Sequence, residues 1–442
     1  METNLSFSTE AEEVIDLVKS TNKNLFITGK AGTGKSTLLD YLRKLPDNKI
    51  IVLAPTGISA ININGETIHS FFKLKPGYEL IEAAHLKHSQ RMVQKLKALK
   101  TIMIDEISMV RADILDAIDI VLRNARKSFE PFGGVRMIFF GDLYQLPPVV
   151  TNDDEVFIKH KYESPYFFAS NVFTPRDLFT PPFDIKTIEL KTIYRQKETI
   201  LIDLLNTIRE GEVSAKDLEV INNRVNPQFT PDNNQQWVYL MTTNYQVNSI
   251  NNKKLQLIDS DIIEFKAQKR GKPGYTLPNE EIIHVKAGAQ VMFITNDSKK
   301  RWVNGTIGKV LGEAIVYDPE SEDYVDGLEV QTNDGKVVKV PPFTWEISKY
   351  IFKNGKFTRE IAGYYTQIPI KLAWAITIHK SQGKTFDNII VDLGNGSFSH
   401  GQTYVALSRA TSLNGIILKR PIYTDDIIVD PTINDYFLQK ES

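Results

Sequence analysis

The chain has 442 residues, 42% of them apolar and 24% charged, with a formal net charge of −1 and no cysteine. That length and composition describe a globular protein of about three domains, and the lack of cysteine excludes disulfides, thiolate zinc sites and iron–sulfur clusters. No stretch approaches the roughly 18 to 20 apolar residues that cross a bilayer, and the opening METNLSFSTEAEEV lacks a basic-then-apolar signal pattern, so a cytoplasmic or nucleoid location without a membrane partner is expected.

In chain order, the first informative stretch is FITGKAGTGKSTLLDYL, residues 26–42. Gly29, Gly34, Lys35 and Ser36 have the spacing GxxxxGK[ST], with the apolar NLFIT before them and a helix-like STLLDYLRKL after. In a strand–loop–helix setting the loop amides and the helix N-terminus face phosphates, Lys35 reaches the β and γ groups and the Ser36 hydroxyl helps hold Mg²⁺. Gly32, Thr33, Gly34, Lys35, Ser36 and Thr37 are thus candidate contacts to a nucleoside triphosphate. The loop does not name the work done, because kinases, transporters, GTPases and motors share it.

The runs NLFIT, KIIVLAPTG, TIMIDEIS and VRMIFFGDL, separated by helical segments, predict a parallel sheet wrapped by helices. A second set appears at WVYLMTTNYQVNSIN, NIIVDLGNG and QTYVALSRATS. Between them, residues 255–365 turn β-rich, with turn signals at Asn333-Asp334-Gly335 and Asn354-Gly355. The expected class is α/β: a first domain over 1–180, a second over 181–254 and 366–442, and a β-rich insertion over 255–365. His85 and His88 have i, i+3 spacing but lie in a lysine-rich polar run that reads as a solvated face rather than a metal site.

TIMIDEISMV places Asp105 and Glu106 at the end of an apolar strand, about 70 residues after the phosphate loop. An Asp there can complete the magnesium shell, and the adjacent Glu can take a proton from the attacking water. Ile114, Leu115, Ile118, Val121, Leu122 and Ala125 then recur at helical spacing and are assigned to the core. The turn PFGG leads into a strand ending GDLYQLPPV, where Gln145 is the candidate to orient water and sense the γ-phosphate.

With GKAGTGKS, APTGISA, GETIHSFF, IDEISMV, PFGGVRMIFFGDLYQLPPV, IYRQ, TTNYQVNSIN, AWAITIHKSQGKTFD and YVALSRA in this order from residue 25 to about 412, the sequence resembles the Pif-type (petite integration frequency) DNA helicases of superfamily 1B. The helix plus PFGG element is the feature that separates them from RecD-like relatives. The resemblance implies two RecA-like P-loop domains with parallel sheets, an insertion shaped as a small Src-homology-3-like barrel, and ATP and Mg²⁺ as cofactors. It implies Arg195 and Arg409 as arginine fingers, a group that can contribute about 10³ to 10⁵ in rate. Gln382, Gly383 and Lys384 would face the nucleotide, with Gly383 permitting close backbone approach. His379, Lys380 and Ser381 would meet DNA phosphates or sugars.

The implied DNA track also takes Pro55, Thr56, Gly57, His69, Ser70, Thr243 and Asn244, plus Asn304 and Gly305 from the KKRWVNG stretch. Backbone amides and small hydroxyls grip phosphates without reading bases, which suits a motor. KKRWVNG and KAQKRGKPGY (266–275) interleave basic and aromatic residues, as single-strand binders do. Phe71 and Phe72 either project toward bases or fill a core. The loop near 65–77 is the candidate strand-splitting wedge.

The family's usual SxEQ pattern has Ala11 in place of the adenine-reading Gln, and no Gln occurs before Gln90. Weak discrimination between ATP and GTP is therefore expected. The activity implied is 5′ to 3′ unwinding of duplex and G-quadruplex DNA by a monomer moving on single-stranded DNA. The alternatives are a translocase that does not separate strands and a slow nucleotide-gated DNA clamp. RNA as a track stays open, since phosphate-directed contacts tolerate either sugar.

Overall fold

The computed structural model describes residues 7–45, 50–74, 83, 89–174, 183–196, 198–231, 236–271, 277–318, 322–353 and 356–441. His85, His88, Asn354-Gly355, the end of the wedge candidate at 75–77 and the end of the basic stretch at 272–275 lie outside them. Two compact units emerge: residues 1–194, 348–362 and 430–442 form one, and 195–347 and 363–429 the other.

In the first unit, β1 (Leu25–Gly29), β2 (Ile50–Ala54), β3 (Glu66–Thr67), β4 (Thr101–Ile104), β5 (Arg136–Phe140) and β6 (Lys186–Leu190) form one sheet in the order β3-β2-β4-β5-β1-β6. Every pairing is parallel. Strands β1, β4 and β5 are buried along their whole length, which is why they read as continuous apolar runs: helices cover both faces of such a sheet. Leu25, Ile27, Leu38, Leu42, Met103, Ile138 and Phe140 pack into the core together with Ala11, Val14 and Ile15 of helix Thr9–Ser20. The helix Ala112–Arg126 buries the six apolar residues its spacing predicts. PFGG is an irregular turn against it: the Phe132 amide donates to Asp119, and at Gly133, with φ of +60°, a Cβ would lie 2.9 Å from the Leu122 carbonyl oxygen.

The second unit contains a parallel sheet of β7 (Val238–Met241), β18 (Ala375–Thr377), β19 (Ile389–Asp392) and β20 (Ile416–Leu418), in the order β18-β7-β19-β20. Between β7 and β18 lie antiparallel strands β8 (Ile262–Lys266), β9 (Gln268–Gly271), β10 (Ile282–Lys286), β11 (Gln290–Phe293), β12 (Ile307–Asp318), β13 (Asp323–Thr332), β14 (Val337–Val340), β15 (Phe343–Lys353), β16 (Lys356–Gln367) and β17 (Ile370–Leu372), in sheets ordered β14-β13-β12-β11-β17, β10-β8 and β15-β16-β9. A core of Val285, Val291, Phe293, Trp302, Val310, Leu328, Val330 and Ile370 fills them. The turn at Asn333-Asp334-Gly335 joins β13 (Asp323–Thr332) to β14 (Val337–Val340), with Gly335 at φ of +82°.

The last helix, Pro431–Glu441, groups with the first unit, whereas the sequence reading placed it in the second. Aromatic packing decides this: Tyr436 stacks on Phe168 at 4.4 Å and lies against Phe26 and Phe167. Part of the hairpin 343–367, residues 348–362, likewise groups with the first unit.

Candidate functional site

The phosphate loop runs from β1 into helix Lys35–Leu42, with Gly34 as the N-cap at φ of +84° and no side chain capping the exposed amides. No side chain therefore competes with an anion at this helix start, and the helix dipole favours one. At Gly29 a Cβ would come within 2.6 Å of the Leu190 carbonyl oxygen and 2.9 Å of Thr33 Oγ1, so the close approach of β6 requires glycine there. Thr33 Oγ1 donates to the Lys30 carbonyl at 2.9 Å. The Lys35 ammonium bends back onto the carbonyls of Gly29 and Lys30, at 2.5 and 3.0 Å. Ser36 and Thr37 are exposed at the start of the helix.

Asp105 and Glu106 follow β4. Asp105 is buried, and burial pushes its carboxyl up to about 6, opposed by the Glu106 amide and by the charge of Lys35. The field of Lys35 at Asp105 places the two motifs together. A buried carboxyl whose charge is disfavoured by desolvation is the group that a divalent cation relieves. Asp105 and Ser36 thus fit Mg²⁺, and the capless loop and Lys35 fit a triphosphate. Glu106 is half-buried and left-handed, with φ of 50° and ψ of 46°. For a residue with a Cβ such a conformation costs about 1 kcal/mol or more and is concentrated at functional sites. Gln145 is buried on the loop after β5, its Nε2 donating to Asp142 Oδ2 at 3.2 Å.

Tyr194 was not singled out by sequence reasoning. Its amide donates to the Gly32 carbonyl at 2.9 Å, its ring lies beside Gly34, and the side chain is 55% exposed. An exposed ring fixed to the phosphate loop can stack on a nucleobase. Ala11, where the family pattern has Gln, is buried in the core and offers no polar group to a base.

The DNA candidates share one local design. In the first unit β2 and β3 are neighbours, with Ala54 opposite Thr67. Each leads into a threonine that caps a short helix: Thr56 Oγ1, two residues after β2, accepts from the Ser59 amide and Thr67 Oγ1, at the end of β3, from the Ser70 amide. Pro55, Thr56, Gly57, His69 and Ser70 therefore emerge side by side at the carboxyl ends of adjacent strands, where ligands of open α/β sheets bind. Ser70 Oγ is bonded to Glu66. Phe71 and Phe72 are both fully buried in edge-to-face contact at 4.9 Å, so they fill the core.

The second unit repeats the design. Strands β7 and β18 are neighbours with Met241 opposite Thr377, and Thr243 and Thr377 cap the helices Asn244–Gln256 and Ile378–Ser381. Lys380 Nζ donates to Asn244 Oδ1 at 3.1 Å, joining two predicted contacts. Lys384 Nζ donates to Asn304 Oδ1 at 2.7 Å, and Gly305 packs against the Lys384 stem. Burial, then the charge of Lys371, lowers the Lys384 ammonium to about 8. Lys371 itself is depressed by burial and by Lys380, against the opposing charge of Glu280. The cluster is thus predominantly cationic and suited to phosphate. Lys371 escaped sequence reasoning because it sits in the apolar strand IPIKLAW with no motif around it. His379 is half-buried and burial holds it toward the neutral form.

One expectation is corrected. Ser381, expected to face DNA, is fully buried with its hydroxyl donating to the Ile378 carbonyl at 2.7 Å. Gly383 has a φ of +76°, which favours glycine, and no protein atom lies within 4 Å of where its Cβ would be, which leaves room for the close approach expected of it. Arg409, expected as an arginine finger, is 1% exposed and donates to Val405 O, Ser408 Oγ, Lys384 O and Ser381 O. In this structure it holds the 381–384 turn. Arg195 donates to the Ser408 carbonyl at 3.2 Å and is depressed by burial, and Gln196 holds Ser408 and Ala410. Gln382 is half-buried at the end of the helix.

The PIF1-like helicase family profile matches residues 6–219. The chain is 32% identical to the ATP-dependent DNA helicase Pif1 of Bdellovibrio bacteriovorus over 99% of its own length and 93% of that protein, and 30% identical to the ATP-dependent DNA helicase RRM3 of Saccharomyces cerevisiae, of which it spans 64%. Among solved structures it resembles unliganded Pif1 from Bacteroides sp (TM-score 0.86, 35% identity, 99% of this chain and 98% of that one) and the same protein with ADP-AlF4 (0.87, 34%, the same coverage). The single-stranded-DNA-bound form of the Bacteroides protein matches at 0.68 with 35% identity, again over 99% and 98%. With a RecA-like parallel sheet carrying the phosphate loop and a relative aligned across almost the whole of both chains, this protein belongs to the PIF1-like helicase family.

Proposed function

We propose that this chain is an ATP-dependent DNA helicase that hydrolyses ATP with Mg²⁺ and moves 5′ to 3′ along single-stranded DNA, opening duplex and G-quadruplex structures ahead of it as a monomer. The observation that carries the DNA-motor reading is the repeated pair of threonine-capped strand ends, one pair in each unit. Two phosphate grips built alike on two units are what a stepping motor needs, since each can hold the same featureless backbone in turn. In the proposed cycle Lys35 releases its loop carbonyls to bind the β and γ phosphates. Ser36 and Asp105 hold Mg²⁺, which neutralises phosphate charge; Glu106 accepts the proton of the attacking water and Gln145 orients that water. Arg195 and Arg409 supply positive charge at the transferring phosphoryl group, Arg409 after exchanging its present acceptors. Thr243, Asn244, Lys380 and Asn304 hold strand phosphates, with Lys371 added to them and Lys384, which the resemblance gave to the nucleotide, reassigned to the strand through its bond to Asn304.

Tyr194 is proposed to take the base by stacking, which is indifferent to base identity and needs no polar group at Ala11. No described helix is long and apolar enough to cross a membrane, consistent with a protein acting wherever the cell's DNA lies. The reading is tested by steady-state ATPase with and without single-stranded DNA. A motor shows strong, sustained stimulation; a rate unmoved by DNA would leave only a nucleotide-gated clamp.

A further inference from the structure

The loop carrying Gln145 is tied to the last helix of the chain. Tyr144 is buried; its hydroxyl donates to Asn434 Oδ1 at 2.8 Å and its ring stacks on Phe437, 5.8 Å between centroids with planes 5° apart. On the other side of the same loop, Asp142 accepts from the Tyr144 amide and from Gln145 Nε2. The helix is itself firmly seated. Ile433 is fully buried, Tyr436 is wedged among Phe26, Phe167 and Phe168, and Asp430 at its start sits beside the Tyr166 hydroxyl, which burial and that carboxylate hold far above the usual phenol range.

We infer that helix Pro431–Glu441 is a positioning element for ATP hydrolysis: through Tyr144 it fixes the backbone from which Gln145 is presented to the γ-phosphate. The inference rests on the proposed role of Gln145. A glutamine that must place a water to within a fraction of an ångström needs a rigid support, because a small misplacement far from the chemistry is costly in rate. Asp142 restrains the amide group itself, and the Tyr144–Asn434 bond restrains the residue before it. Neither Tyr144 nor Asn434 need touch nucleotide, so their loss should slow turnover without weakening binding.

The test uses the full chain and single-stranded-DNA-stimulated ATPase. Tyr144→Phe and Asn434→Ala are each expected to lower kcat about fivefold, the effect of one neutral hydrogen bond, with KM and the Kd for a fluorescent ADP analogue within about twofold of wild type on the same reasoning. Combined, they should cost no more than either alone. Asn434→Asp, which keeps an acceptor for the tyrosine hydroxyl, should restore most of the rate, a rescue that general destabilisation would not give. In a Gln145→Ala background, Asn434→Ala should add nothing. If Gln145→Ala is slow while Tyr144→Phe and Asn434→Ala run at the wild-type rate, or if their effects multiply with that of Gln145→Ala, the helix is not a positioning element and the inference is overturned. Gln145→Ala at the wild-type rate would instead overturn the Gln145 reading, and this inference with it.

Discussion

The ammonium of Lys384 donates to Asn304 Oδ1 at 2.7 Å, joining the end of the TIHKSQGK segment to a turn of the β-rich insertion. Lys384 is lowered to about 8, first by burial and then by Lys371. A strand phosphate would favour the charged form, so binding takes up a proton wherever free Lys384 is neutral. Affinity for single-stranded DNA should therefore hold steady below pH 8 and fall between pH 8 and 9.5, by up to about tenfold per pH unit. Lys384→Arg should flatten that fall, because arginine stays charged. Fluorescence anisotropy titrations across that range check this; parallel curves for the two proteins would remove Lys384 from the phosphate grip.

Arg409 carries a stability prediction as well as a catalytic one. Its guanidinium is buried and bonded to four acceptors, two on the 381–384 turn and two, Val405 O and Ser408 Oγ, on its own helical segment. Removing it leaves those acceptors without their donor, so Arg409→Ala should lower unfolding stability by about 3 kcal/mol, measured by denaturant melts. A variant with no ATPase and wild-type stability would mean that the residue acts only on nucleotide.

Glu106 opposes stability and function. Glu106→Gln should abolish hydrolysis while retaining nucleotide binding, since the shape persists and only the base is lost. Glu106→Gly should be equally inactive yet more stable than Glu106→Gln by about 1 kcal/mol, because glycine accepts φ of 50° without the Cβ penalty. Equal melting temperatures for the two variants would show that the conformation stores no strain.

Nucleotide choice follows from Ala11 and Tyr194. With a buried alanine where the family pattern has glutamine, and an exposed ring beside Gly34, kcat/KM for GTP should lie within about tenfold of that for ATP, stacking alone being insensitive to the base edge. Tyr194→Ala should raise KM for both nucleotides alike. A GTPase rate far below the ATPase rate would point to backbone groups that read adenine.

Much of this was legible in the sequence because it is local. GxxxxGK[ST] after an apolar run, and an Asp-Glu pair ending another, need only strand–loop–helix geometry to acquire meaning, and the strands read clearly because both sheet faces are buried. What was hidden depends on residues distant in the chain. Phe71 and Phe72 look alike whether they meet bases or core, and only the packing shows both inside. Arg409 looks like any motif arginine until its four acceptors are counted. Lys371 gains its character from burial, Glu280 and Lys380, and the last helix, with its weakly patterned PTINDYFLQKE, is placed by aromatic contacts to Phe26, Phe167 and Phe168 that no periodicity encodes.

The most direct test of the central claim is ATP-dependent unwinding of two matched duplexes, one with a 5′ single-stranded tail and one with a 3′ tail. Opening of the 5′-tailed duplex alone is the predicted result. Opening of the 3′-tailed duplex alone would contradict the proposed direction, and vigorous DNA-stimulated ATPase with neither duplex opened would contradict strand separation itself.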